Sequence, residues 1–259
     1  MPGQSFRGFT EKVALVLGGA RGVGRAVAVS LALEGAYVVV HYAPGDEEGG
    51  RVAGELRSLG TLAETVEADL SRPADVRRAF DEVGAIYGRL DLLVNAAGLA
   101  RAASLAELSE EVWDEVLGVS LKGAYLCAQA AVPLMRGRPA PAIVNLVSEA
   151  GLSGRVEEAG SVATVAAQAG VAGLTKALAR ELAPQRVRVN CVAFGGPVAT
   201  PSEVGARSVF AGDDAGMTPV AGATQRPVVA DEVARACLYL LSADARSING
   251  ETLFVSGLR

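Results

Sequence analysis

A change of period that recurs along the chain narrows its fold more than any other feature. Lys12 to Leu17 is a short β-branched and aliphatic run, Gly18 to Gly24 interrupts it, and a helical stretch carrying Val27, Val29, Leu31 and Leu33 follows and stops at Gly35. The unit then returns. Tyr37 to Val40 reads as a strand, Glu47 to Leu59 as a helix closed by Gly60, Leu62 to Glu67 as a strand and Ala74 to Tyr87 as a helix. Asp91 to Asn95 reads as the next strand and Glu110 to Met135 as a long helical region. Ala142 to Val147, Arg188 to Val192 and Glu251 to Val255 are further strands, set around helices at Val162 to Leu182 and Asp231 to Leu241. Strands that alternate with helices are joined by right-handed crossovers, which makes them parallel and covers both faces of the sheet. The expectation is an α/β fold with a doubly wound parallel sheet of about seven strands.

Composition agrees with one such unit. With 259 residues, 50% hydrophobic and 20% charged, the chain can bury one large core and reads as a single domain over residues 1–259, its core at about 12–255. Phe194 to Pro227 is rich in Gly, Ala, Pro and Ser without periodicity and is expected to form a variable lid. The net charge of −5, with both signs interspersed, offers no basic face to nucleic acid and no cationic segment to a membrane. Met1 to Thr10 lacks an apolar core with cationic flanks, and no later apolar run reads as long enough to span a bilayer, so the expected location is cytoplasmic. Cys127, Cys191 and Cys237 match no metal-ligand spacing and read as small buried residues in a reducing compartment, with no metal expected. His41 is the only histidine, which removes histidine-rich metal sites and histidine shuttles.

Between a buried strand and a helix, glycines let backbone N–H groups approach a pyrophosphate, and the helix N-terminus adds partial positive charge. Gly18, Gly22 and Gly24, with Arg21 and Val23 among them, hold that position. A tight turn that merely packs the helix on the strand is the structural alternative. Asp69 and Leu70 follow the third strand, where a carboxylate can accept the adenine amino group. Asn95, Ala96, Ala97 and Gly98 follow the fourth, where small residues leave room for a ribose. This is the pattern of a Rossmann-type nucleotide site.

These segments together resemble the short-chain dehydrogenase/reductase family, in overall pattern its 3-oxoacyl-carrier-protein reductases. Residues 17–24 match the family's TGxxxGxG with Leu17 for Thr, and Asn95 to Gly98 match NNAG with Ala96 for the second Asn. Val189 to Ala193 resembles the VNxVAPG strand end, and Ile248 to Thr252 the ITGQ-type segment near the carboxyl end. The match runs from about Lys12 to Val255. It implies a nicotinamide dinucleotide. His41, Tyr42 and Ala43 end the second strand without a carboxylate, and Arg21 can face a phosphate, so NADP is expected over NAD. A solvated loop charge is the alternative for Arg21.

The resemblance also implies a catalytic Ser, Tyr, Lys and Asn. A carbonyl oxygen that gains charge during hydride transfer needs a proton donor, and a phenol of ordinary pKa about 10 serves only beside a cation, hence YxxxK on one helix face. Ser148, closing Ile143 to Ser148, stands at the catalytic serine's place. Counting back through Gln168 to Lys176, which resembles KAGxxGLTK, puts Gln168 at the Lys position and Thr164 at the Tyr position, whereas counting forward from Ser148 gives Ser161. Ser120 stands where the Asn of NLKG belongs, Phe194 replaces a proline, and Ser256 replaces an aspartate. Tyr125 and Lys122 lie a turn apart, in a region the family uses between subunits.

Three functions remain in view. One is a non-catalytic or regulatory subunit with a degenerate catalytic set, in a homo- or hetero-oligomer with family relatives. Another is an NADP(H)-dependent carbonyl reductase with an atypical active site, using Ser148 and Thr164 or a lid carboxylate such as Asp213 or Asp214. The third is a nucleotide-binding sensor. The first leads, because a lost general acid costs about 10²–10⁴ in rate.

Overall fold

The computed structural model describes residues 8–156, 160–195, 198–199 and 228–256. Most of the expected lid, with Asp213 and Asp214, lies outside them. The chain runs β1 (Val13–Leu17), α1 (Gly22–Leu33), β2 (Tyr37–Tyr42), α2 (Glu48–Ser58), β3 (Ala63–Glu67), α3 (Pro73–Tyr87) and β4 (Leu92–Asn95). There follow α4 (Glu110–Leu117), a π-helical turn at Gly118–Lys122, α5 (Gly123–Met135), β5 (Ala142–Ser148), α6 (Glu149–Ser153) and α7 (Val162–Leu182). The last elements are β6 (Arg188–Phe194), β7 (Val198–Ala199), β8 (Val228–Val229), α8 (Ala230–Leu241) and β9 (Thr252–Val255).

Seven strands form one sheet in the order β3-β2-β1-β4-β5-β6-β9, every pair parallel. β1 is buried on both faces, as its run of Val, Ala and Leu requires. Ala14 and Val16 pack with α1, α2 and α8 through Val27, Leu31, Leu56 and Leu238. Val13 and Leu15 pack the other way with α3, α5 and α7 through Phe80, Val83, Met135 and Leu182. After β3 the chain crosses back over β1, so connections leave β1 and β4 in opposite directions and open a crevice at their carboxyl ends.

Two buried charges tie this frame together. Asp91 accepts from Val13 N at 3.0 Å and from Arg138 Nε at 2.9 Å, joining β1 to β4. Arg188 donates to the carbonyls of Leu240 (2.6 Å), Ala245 (3.1 Å), Leu241 (3.2 Å) and Ser242 (3.1 Å), which closes the C-terminus of α8 with a cation.

Three strands run past their expected ends, β2 to Tyr42, β5 to Ser148 and β6 to Phe194, whereas β1, β3, β4 and β9 each begin one residue later than expected. α6 was not foreseen, and the region Glu110–Met135 divides at its π-helical turn. That region and Val162–Gln185 are long and apolar enough to cross a membrane, contrary to the sequence expectation. Their apolar faces are taken up inside the fold: α5 packs on α3 and the sheet, and α4 on α7 through Val116, Ala163 and Ala167.

Candidate active site

The carboxyl ends of β1, β4 and β5 open on a cavity of about 590 Å³. Gly18, Arg21, Gly22, Val23, Gly24, Tyr42, Asp69, Leu70, Asn95, Ala96, Ala97, Gly98, Ser120, Ser148 and Gln168 all line it, and Thr164 does not. Gly18 and Gly22 have φ of +67° and +51°, in the left-handed region. A Cβ on Gly18 would lie 2.9 Å from Ala97 Cα, and one on Gly24 would lie 2.1 Å from the Gly18 carbonyl oxygen. The loop, α1 and the segment after β4 are thus in backbone contact. Arg21 is the N-cap of α1 but makes no side-chain cap, and the first turn holds no acidic residue. The first N–H groups of α1 therefore lack a side-chain acceptor, as suits a pyrophosphate.

At the adenosine end, Gly18 N donates to His41 Nδ1 at 3.0 Å, and His41 Nε2 lies 3.0 Å from the Ala68 carbonyl oxygen. A carbonyl only accepts, so Nε2 carries the proton and the ring is neutral. Burial pushes the imidazole pKa below its ordinary 6.5, against the opposing pull of the Ala68 carbonyl. The sequence showed no carboxylate at the end of β2, but the turn beyond it supplies one. Asp46 lines the cavity and pairs with Arg21 at 2.8 Å. The Arg21 hydrogen bond holds the Asp46 carboxyl below the usual range. Such an exposed pair contributes about 0–1 kcal/mol, so a phosphate dianion can displace Asp46 from Arg21. Asp69 Oδ1 accepts from Ser71 N (3.0 Å) and Ser71 Oγ (2.6 Å), and its Oδ2 pairs with Arg72 Nε (3.1 Å). It thereby shapes the entry to α3.

At the reacting end, Ser148 Oγ accepts from Ala150 N at 3.2 Å and caps α6, which leaves the hydroxyl hydrogen for a ligand oxygen. Ser120 lies in the π-helical turn; its Oγ accepts from Leu99 N at 2.9 Å and donates to Leu99 O at 3.4 Å, bracing the segment after β4. Gln168 packs over Gly151, whose added Cβ would come 2.5 Å from Gln168 Oε1. That oxygen is buried without a hydrogen-bond partner. Thr164, a turn earlier on α7, is 1% exposed, and its hydroxyl lies 3.1 Å from Ser161 Oγ at the N-cap. Both alternatives for the tyrosine position therefore sit in one helix cap, and neither lines the cavity. Among the described lining residues there is no lysine, and Tyr42, at the adenosine end, is the only phenol. Tyr125 and Lys122 do not line the cavity either; the Tyr125 hydroxyl accepts from Gln129 Nε2 at 3.1 Å.

A family model described as Enoyl-(Acyl carrier protein) reductase matches residues 18–257. A 3-oxoacyl-(acyl-carrier-protein) reductase of Staphylococcus aureus is 37% identical over 246 residues, 95% of this chain and 97% of its own length. A short chain dehydrogenase of Burkholderia cenocepacia, solved in complex with NADP, is 33% identical with a TM-score of 0.81 and covers 96% of this chain and 98% of its own. The chain belongs to the short-chain dehydrogenase/reductase family. A dehydrogenase/reductase of Sinorhizobium meliloti, at 29% identity and TM-score 0.81, shares the fold over 96% of this chain and 94% of its own. As a short-chain dehydrogenase/reductase the chain has a nucleotide end that suits a dinucleotide, with an uncapped helix start and a cradle that any Cβ would fill. At the other end of the cavity, the unpartnered Gln168 Oε1 suits a ribose hydroxyl.

Proposed function

We propose that this chain is a nicotinamide-dinucleotide-dependent oxidoreductase, NADP(H) preferred over NAD(H), that reduces a carbonyl slowly through an atypical reacting end. One observation carries the reading: a single cavity joins the uncapped start of α1 to Ser148 and Gln168. The nucleotide supplies a hydride when bound. The first N–H groups of α1 bind its pyrophosphate, Arg21 released from Asp46 meets a ribose phosphate, and Gln168 Oε1 accepts from a ribose hydroxyl. Ser148 donates a hydrogen bond from its hydroxyl to the substrate oxygen, keeping its own proton, and orients that oxygen. The names of the relatives, 3-oxoacyl reductases, support a 3-oxoacyl thioester as the substrate class. With no phenol–ammonium pair among the described lining residues, the proton comes from solvent, so turnover falls about 10²–10⁴-fold short of a complete site.

A second reading, a non-catalytic subunit or nucleotide sensor, is favoured by the Thr164 hydroxyl, which is committed to Ser161. Leu253 and Phe254, exposed on edge strand β9, favour an oligomer in either case. A cytoplasmic location belongs to both. The test is calorimetric titration with NADP(H) and NAD(H), followed by NADPH oxidation with a 3-oxoacyl thioester. Binding with slow turnover supports the reductase, binding without turnover supports the sensor or subunit, and no binding removes both nucleotide readings.

A further inference from the structure

His41 holds the glycine loop twice. Its backbone carbonyl accepts from Gly19 N at 3.1 Å and its Nδ1 accepts from Gly18 N at 3.0 Å, so two successive loop amides end on one residue. The opposite ring nitrogen is fixed by the Ala68 carbonyl at 3.0 Å, after β3, and the residue is 3% exposed. We propose that His41 is a positioning residue that sets the glycine loop for the nucleotide only while its ring is neutral, so that nucleotide binding is switched by pH; this rests on the nucleotide-binding reading above.

The physical reason is a conflict of donors. Protonation puts a hydrogen on Nδ1, which then faces the Gly18 N–H across 3.0 Å, and two donors repel. The ring cannot relieve this by exchanging nitrogens, because Nε2 already donates to Ala68. Arg21, Tyr42, Asp46 and Asp69 line the same cavity as His41; the elements beside it further carry Arg25 on α1, Glu48 on α2 and Glu67 at the end of β3, and β1 carries no titratable or charged group. The imidazole's shift has only burial and the Ala68 carbonyl behind it, so no carboxylate steadies an imidazolium. Asp46 and Asp69 are held below the ordinary carboxylate range and do not titrate in the same window. The sign follows by linkage. A histidine held neutral contributes stability that is complete above its ordinary 6.5 and is lost as pH falls through its lower folded value. A nucleotide that requires the neutral form depresses that value further.

The test combines NMR and calorimetry on the untagged full chain, whose single histidine gives one imidazole titration. Between about pH 7.5 and 5, the imidazole and the Gly18 amide are expected to shift together with a midpoint below the ordinary histidine value, while NADP affinity falls roughly tenfold or more. In His41→Asn, Oδ1 takes the place of Nδ1 and cannot titrate. Whatever affinity this variant keeps at neutral pH is expected to persist on acidification without the wild-type fall, apart from the titration of the ligand's own phosphate. His41→Gln keeps the donor to Ala68 but lacks the acceptor for Gly18, so it should bind weakly at every pH. A Gly18 amide that ignores the imidazole titration, a measurement that needs neither variant nor ligand, overturns the proposal. An acid fall in His41→Asn equal to wild type overturns it as well. Absence of NADP binding at every pH overturns the nucleotide reading instead, and the Gly18 response then decides the positioning role alone.

Discussion

Around Gly18 and Gly24 the cavity wall is backbone against backbone, with 2.9 and 2.1 Å left for any added Cβ. Around Ser148 and Ser120 the wall carries hydroxyls already bonded to a helix cap and neighbouring main chain, and the Thr164 hydroxyl, which does not line the cavity, is bonded within the cap of α7. The first region holds its shape by excluding side chains, so its nucleotide geometry and its packing are the same property. In the second, each hydroxyl serves the scaffold whether or not chemistry occurs. Function and stability are coupled at one end of the cavity and separable at the other.

That contrast is open to direct attack. Gly24→Ala should have the largest effect, lowering NADP affinity by about 10²-fold or more and stability by about 3 kcal/mol, read by calorimetry and urea unfolding. Near-normal binding would mean that the loop can give way. Thr164→Tyr combined with Gln168→Lys, one turn apart on α7, should raise NADPH-dependent reduction by about 10²-fold. A lack of gain would mean that the reacting end is misshapen as well as disarmed. Ser161→Ala should cost about 1 kcal/mol through the lost cap of α7 while nucleotide affinity stays unchanged. A parallel fall in affinity would join the two regions. The smallest effect is expected from thiol reagents. Burial pushes the Cys127 and Cys191 thiols up to about 12, and Cys237 also upward. The native protein should therefore resist alkylation at mildly alkaline pH, whereas the unfolded chain exposes all three thiols to the reagent. Fast labelling of Cys191, on β6, would reveal a loose floor under the reacting end.

The sheet and most of its helices were legible because periods of two and of three to four residues announce themselves locally. The helix Val162–Leu182 was read with the bounds it has. α6 escaped because its five residues are too few to show a period. Asp46 escaped for a different reason. It reaches Arg21 through a turn in which its own N–H bonds to Ala43 O and Gly45 takes φ +81°, and no spacing rule records that return. The counting that placed Gln168 in the site also pointed to Thr164, but only three-dimensional packing distinguishes a residue that lines the cavity from one that closes a helix cap. The lone histidine was read for what it excluded; its two hydrogen bonds depend on strand β2 passing directly beside the glycine loop.

β6 is completed by residues from the far end of the chain. Val189 N donates to Asn249 Oδ1, Gly250 N to Val189 O and Glu251 N to Asn190 Oδ1 before β9 pairs along the strand. During synthesis the glycine loop and the strands around it emerge early, but β6 keeps a bare edge until residues 249–255 leave the ribosome. An inherited stop codon before Asn249 would thus release a polypeptide whose dinucleotide cradle is encoded in full while the strand beneath Phe194 lacks its outer neighbour, with an open edge inviting self-association.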